Sequence, residues 1–209
     1  MGLISILFKE PVTFLMLAVP LIYSIIAHEV AHGAVAYLFG DDTAKRAGRL
    51  TLNPLAHLDP AGTLMLFFVG FGWAKPVPVN YSKLRNFRTG LVCVSLAGCL
   101  TNIIIATIAL SIISSMNLVT GHPVTMVLLV LARINIILGA FNLIPIPPLD
   151  GSKVLMGFLP SRLQLEFAKY ERFGFPVLIV LLFTGLLDPV IIFIQKLIFI
   201  FIGLFLGVS

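Results

Sequence analysis

Charge is what this chain has least of. Only 11% of its 209 residues are Asp, Glu, Lys or Arg, against 59% hydrophobic, where a soluble domain carries about 25% charged and 45–50% apolar residues. That deficit excludes an ordinary soluble domain and points to an integral membrane protein. Cysteine is nearly absent too. Cys93 and Cys99 lie in an apolar stretch without CxxC spacing, which argues against a disulfide framework and for buried thiols. Most of the basic residues behind the net charge of +5 stand in the breaks between apolar runs. They read as orientation and headgroup signals, and no nucleic-acid partner is expected. Ahead of the first run stands only Lys9, with no small-residue cleavage site after it, so no removable signal peptide is expected.

What is present in quantity is hydrophobic run length. The first run covers about 11–39. Clear spanning candidates follow at about 89–116 and 123–145, and a last apolar region, 175–207, is interrupted by the Asp-Pro pair at 188–189. Either one broken helix or two pieces fits that region. The stretch 152–174 is polar and amphipathic. The run 61–72 is too short to cross a bilayer, which takes about 20 residues. The segment after it, WAKPVPVNY (73–81), alternates prolines with β-branched residues and reads as extended chain.

Basic residues cluster in 40–60, 73–88 and 146–175, whereas 117–122 carries none. If 61–81 is re-entrant, every basic connection falls on one face, which the positive-inside rule makes cytoplasmic. The fold expected is an all-α integral membrane protein, a polytopic helix bundle with a short re-entrant extended or β element around 70–81. It is read as a single membrane-embedded domain over 1–209. Irregular backbone at that depth needs protein or trapped water around it.

Inside the first run stands His28-Glu29-Val30-Ala31-His32. Residues four apart share a helix face, so His28 and His32 can present their imidazoles to one ion. Glu29 lies about 100° further round the helix, where it can serve as general base for a water activated by zinc. With four His and four Glu in the chain, chance gives roughly 0.001 such motifs. Without a metal, three ionisable groups in a spanning helix would be left costly and unsatisfied. A third protein ligand is needed, and Asp150 in FNLIPIPPLDG (141–151) is the candidate. Pro145, Pro147 and Pro148 end the preceding helix and Gly151 permits a turn. His32 lies seven residues before Phe39, about 10 Å in from the helix end, so the two motifs can meet. The alternative for Asp150 is a helix N-cap.

At these residues the chain resembles the site-2 proteases, the intramembrane zinc metalloproteases. The resemblance runs from about 20 to 160 and rests on HExxH at 28–32, GRLTLNPLAHLDPAGT at 48–63, GWAKPVPVN at 72–80 and NLIPIPPLDG at 142–151. It is to the compact bacterial and archaeal type, with no PDZ or CBS domain in view. It implies His28, His32 and Asp150 as ligands of one zinc, Glu29 as catalytic base, and cleavage of a transmembrane protein substrate within or near its membrane segment. It also implies a multi-pass location in a bacterial or archaeal membrane, with the lipid bilayer as partner; the charge placement above is what puts the expected active site nearer the cytoplasmic side. Oligomeric state does not follow. A further family element, a small-residue helix with a downstream asparagine, is matched by SLAGCLTN (95–102), with Cys99 where proline is common. Asn102 is a candidate for the substrate carbonyl or oxyanion, and equally for helix–helix glue beside Ala97 and Gly98. Asn135 and Asn142 share one helix face and suit packing or support of the LDG turn. His57 reads as a structural loop histidine and His122 as solvated. The competing functions are a zinc transporter and a non-catalytic metal-binding membrane protein; neither needs a general base beside the ion.

Overall fold

Long apolar runs must satisfy their backbone hydrogen bonds internally, and here they do so as helices. The computed structural model describes residues 7–69, 74–119 and 121–207, and no strand occurs among them. In chain order the helices are α1 (Pro11–Leu38), α2 (Thr43–Arg46), α3 (Pro60–Val69), α4 (Phe87–Ser115), α5 (Pro123–Asn142), α6 (Asp150–Phe158), α7 (Ser161–Phe183) and α8 (Asp188–Leu206), with 3-10 turns at Pro54–Ala56 and Tyr81–Lys83. Four of them (α1, α4, α5 and α8) are long and apolar enough to cross a membrane. The chain is a multi-pass membrane protein. Phe193, Phe199, Phe201 and Phe205 of α8 stand exposed, as a lipid-facing surface should.

Helix α4 is the hub, packed against α1, α5 and α6. Its buried residues include Gly90, Ala97, Gly98, Ala106 and Ala109. Between helices in lipid there is little hydrophobic driving force, so close approach over small residues supplies the attraction. Ala132 and Ala140 of α5 and Ile198 and Ile202 of α8 complete that interface.

The short run behaves as a re-entrant element. After α3 the chain is back beside its starting point by Lys75, whose N–H donates to the His57 carbonyl at 2.8 Å. Residues 74–80 are non-helical. The part of the expected extended element at 70–73, Trp73 included, lies outside the described residues. The last apolar region resolves into two helices. Thr184 ends α7, Gly185 follows at φ +70, and Pro189 sits in the first turn of α8. That is the usual pairing of a left-handed glycine after one helix with proline at the start of the next. The amphipathic stretch divides otherwise than expected. Helix α6 stops at Phe158, and α7 runs unbroken through Gly174 and Pro176. Gly174 is needed because a Cβ there would lie 2.4 Å from the Pro147 carbonyl oxygen.

Candidate metal centre

The long helix α1 carries HExxH on the face it turns toward α4, so His28 and His32 are both buried, 6% and 8% exposed. Their rings meet edge to face, centroids 4.7 Å apart. Asp150, 9% exposed, arrives from the first residue of α6. Its N-cap neighbour is Leu149, and no side chain caps that helix. The Asp150 carboxylate is turned instead to the imidazoles, with Oδ2 3.0 Å from His28 Nε2 and 3.1 Å from His32 Nε2. The two Nε2 atoms are 3.1 Å apart.

The outer nitrogens decide what those inner ones are. His32 Nδ1 lies 2.7 Å from the Val94 carbonyl, which only accepts, so Nδ1 carries the proton and donates. For His28 the chain of hydrogen-bond partners is longer. The Ser24 hydroxyl donates to the Pro20 carbonyl, and Asn135 Nδ2 donates to Ser24 Oγ and to the Leu131 carbonyl. That leaves Asn135 Oδ1 to accept from Asn102 Nδ2 at 2.7 Å, and turns Asn102 Oδ1 toward His28 Nδ1 at 2.6 Å. So His28 Nδ1 also donates. In their neutral forms both Nε2 atoms are therefore lone pairs, facing each other and a carboxylate in a buried site.

Two imidazole lone pairs and a carboxylate converging with no donor between them suit a cation. Their separations suit zinc: ligands at 2.0–2.1 Å in a tetrahedron stand about 3.3 Å apart, close to the 3.0–3.1 Å found here. Among the described residues this is the only cluster of His, Cys, Asp and Glu of that kind.

A sequence model of Peptidase family M50 matches residues 111–185, a stretch that holds Asp150. The "Putative zinc metalloprotease YwhC" of Bacillus subtilis is 41% identical over 182 residues, 81% of each chain. The chain belongs to the site-2 proteases, peptidase family M50. Also similar are the "Putative zinc metalloprotease Rip2" of Mycolicibacterium smegmatis, 27% identical over 84% of this chain and 69% of that one, and the "Zinc metalloprotease MJ0392" of Methanocaldococcus jannaschii, 26% identical over 90% of this chain and 48% of that one. No solved structure gives a significant match.

In this site-2 protease Glu29, half-buried beside His28, does not join the three acceptors. Its Oε2 accepts from the Val77 N–H at 2.8 Å. The extended segment thereby borders the candidate centre and holds Glu29. Lys75 is braced from behind: its carbonyl accepts from Arg49 Nη2 at 2.6 Å, in addition to the His57 bond. His57 is the structural loop residue expected, 1% exposed, with Nε2 donating to the Thr51 carbonyl at 2.8 Å. His122 is exposed and accepts from the Val124 N–H at the start of α5. Asn142 bonds within its own helix, to the Leu138 carbonyl.

Asn102 is 0% exposed, and its amide is used on both sides, toward His28 and toward Asn135 and Ser24. A substrate contact by Asn102 would break one of those bonds. Three contributors escaped the sequence reading. The Val94 carbonyl and the Val77 N–H are backbone groups and carry no residue-type signal. Ser24 stood four residues before His28, on the same helix face, and that spacing was a usable clue. Gly98, which reads in the sequence as a helix-packing residue, has a specific neighbour: a Cβ there would fall 2.5 Å from the His28 ring.

Proposed function

We propose that this site-2 protease is a zinc endopeptidase that hydrolyses a peptide bond within or near a transmembrane segment of another membrane protein. His28, His32 and Asp150 hold one zinc per chain, and Glu29 is the catalytic base. The observation that carries the reading is the convergence of two imidazole lone pairs and a carboxylate, within 4.8 Å of one another, one residue from a glutamate that stays outside the cluster. Zinc supplies a Lewis acid that polarises the scissile carbonyl and makes water acidic enough to react near neutral pH.

The chain's own groups do the rest. Asn102 and the Val94 carbonyl fix which nitrogen of each imidazole faces inward. Glu29 takes a proton from the attacking water and returns it to the leaving amine, and the Val77 amide keeps its carboxylate aimed. A helical substrate must unwind before its backbone can react. The segment 74–80 offers main-chain groups to the unwound strand by β-addition, and its bracing by Arg49 and His57 supports that role. The basic connections gather at one end of the bundle. Lys83 meets Asp42 there, and Lys153 lies over the Tyr81 ring. That end is cytoplasmic by the positive-inside rule, with the centre nearer to it. The whole chain acts as one membrane-embedded domain.

The test is cleavage of a single-span substrate co-reconstituted in vesicles. Wild type cleaves and Glu29→Gln falls by at least about 10³-fold, as expected for loss of an essential base with binding intact. Unaltered cleavage by Glu29→Gln would refute the assignment. Reversing the order of Pro78 and Val79, which leaves the Val77 N–H on Glu29, lowers cleavage of a transmembrane substrate but spares a short unstructured peptide when helix content is retained. Equal loss on both would remove the β-addition step.

A further inference from the structure

Helices α4, α5 and α8 border a groove of about 540 Å³ on the outside of the bundle, lined by Leu110, Arg133, Ile137, Gln195, Lys196 and Phe199 among others. Its walls are apolar except for two cations and an amide. Arg133 is the eleventh of the 20 residues of α5, and Lys196 the ninth of the 19 of α8. At 1.5 Å per residue each lies about 12–15 Å from either end of its span, further than the side chain extends. Both are exposed. Neither has an ion-pair or hydrogen-bond partner among the described residues. The candidate metal centre does not use them: Asn135, two residues from Arg133, is buried toward α1 and α4, on another face of α5.

A lone charge at mid-membrane is expensive and is retained where something pairs with it. A second copy of this chain cannot supply the complement. Of the nine acidic residues, Glu29 alone lies inside a span, and it is taken by Val77; Asp188 is the first residue of α8, and the others lie outside the four spans. A lipid phosphate sits at the membrane surface, above this depth. We propose that the groove docks a transmembrane helix of another protein that carries an aspartate or glutamate near mid-membrane. Its carboxylate meets Arg133 and Lys196, Gln195 satisfies the remaining oxygen, and its apolar face lies on Leu110, Ile137 and Phe199. The fork of Arg133 suits a carboxylate bidentately.

The test uses the full chain in vesicles and synthetic Leu/Ala spans of about 20 residues bearing Glu, Gln or Lys at the central position. Association is read by energy transfer, in phosphatidylcholine alone and mixed with phosphatidylglycerol. The Glu span binds at least about tenfold more tightly than the Gln span in both lipids. Arg133→Gln and Lys196→Gln each erode the preference, and the double Arg133→Glu, Lys196→Glu variant turns it toward the Lys span. All variants keep wild-type zinc content, since the groove is separate from the centre. Equal binding of Glu and Gln spans to the wild type overturns the proposal whatever the variants do. So does loss of the preference when phosphatidylglycerol is added, which would make a lipid headgroup the occupant.

Discussion

A methyl group at position 98 would lie 2.5 Å from the His28 ring, inside any real contact distance. Because the ring is wedged between α1 and α4, it cannot yield without leaving the position its Nδ1 bond to Asn102 defines. Gly98→Ala and Asn102→Leu are therefore expected to weaken zinc binding by about 10–100-fold, measured by chelator competition. The control is Gly139→Ala, on the same small-residue interface. Its Cβ would meet neighbours at 3.5 Å and beyond, so zinc affinity stays as in the wild type. At this scale the sequence was informative about side chains and silent about backbone. His28, His32, Asp150 and Asn102 stood out because ionisable and amide groups are rare in apolar runs. That Asn102 turns its oxygen to His28 depended on acceptors at Leu131 and Pro20, which no residue pattern marks. Arg133 and Lys196 stand in the sequence as single charges within long apolar runs, and only the fold brings them to one groove.

Among the elements, the segment 74–80 is held by distant residues at several points, and its far end is held by Asp41. Asp41, just past the end of α1 and 0% exposed, accepts from the Asn80 N–H at 2.6 Å and from the Thr43 amide and hydroxyl. Burial pushes its carboxyl upward, but these donors outweigh it and hold the group below its ordinary 3.8. A carboxyl depressed in the folded state contributes stability that is present above the unfolded value and is lost as pH falls through the folded one. Protection of the Asn80 amide from hydrogen exchange should thus hold at neutral pH and fall off below about pH 4. In Asp41→Asn it should be low throughout and independent of pH. Unchanged protection in that variant would show the anchor to be idle. Element boundaries were readable where chain chemistry is strong. Proline ends α5, and the Gly185 and Pro189 pair divides the last apolar region. The continuation of α7 past Gly174 and Pro176 was hidden, because a packing contact with Pro147, not local propensity, decides it.

On the scale of the molecule, the helix bundle brings the paired histidines of α1 and the sequence-distant Asp150 to one buried point. At that point two imidazole nitrogens and a carboxylate face one another, an arrangement that suits a cation. Hydropathy made the spans legible, and the motifs made the ligands legible. What joined them, the close packing of α1 on α4 over Gly98, emerges only from the assembled fold. Zinc content per chain of the purified protein, for wild type, Glu29→Gln and Asp150→Ala, is the most direct test. About one zinc is expected in the wild type and in Glu29→Gln, with marked loss in Asp150→Ala. A wild type that holds no zinc after metal-replete purification, or an Asp150→Ala variant that keeps it in full, would overturn the proposed metal centre.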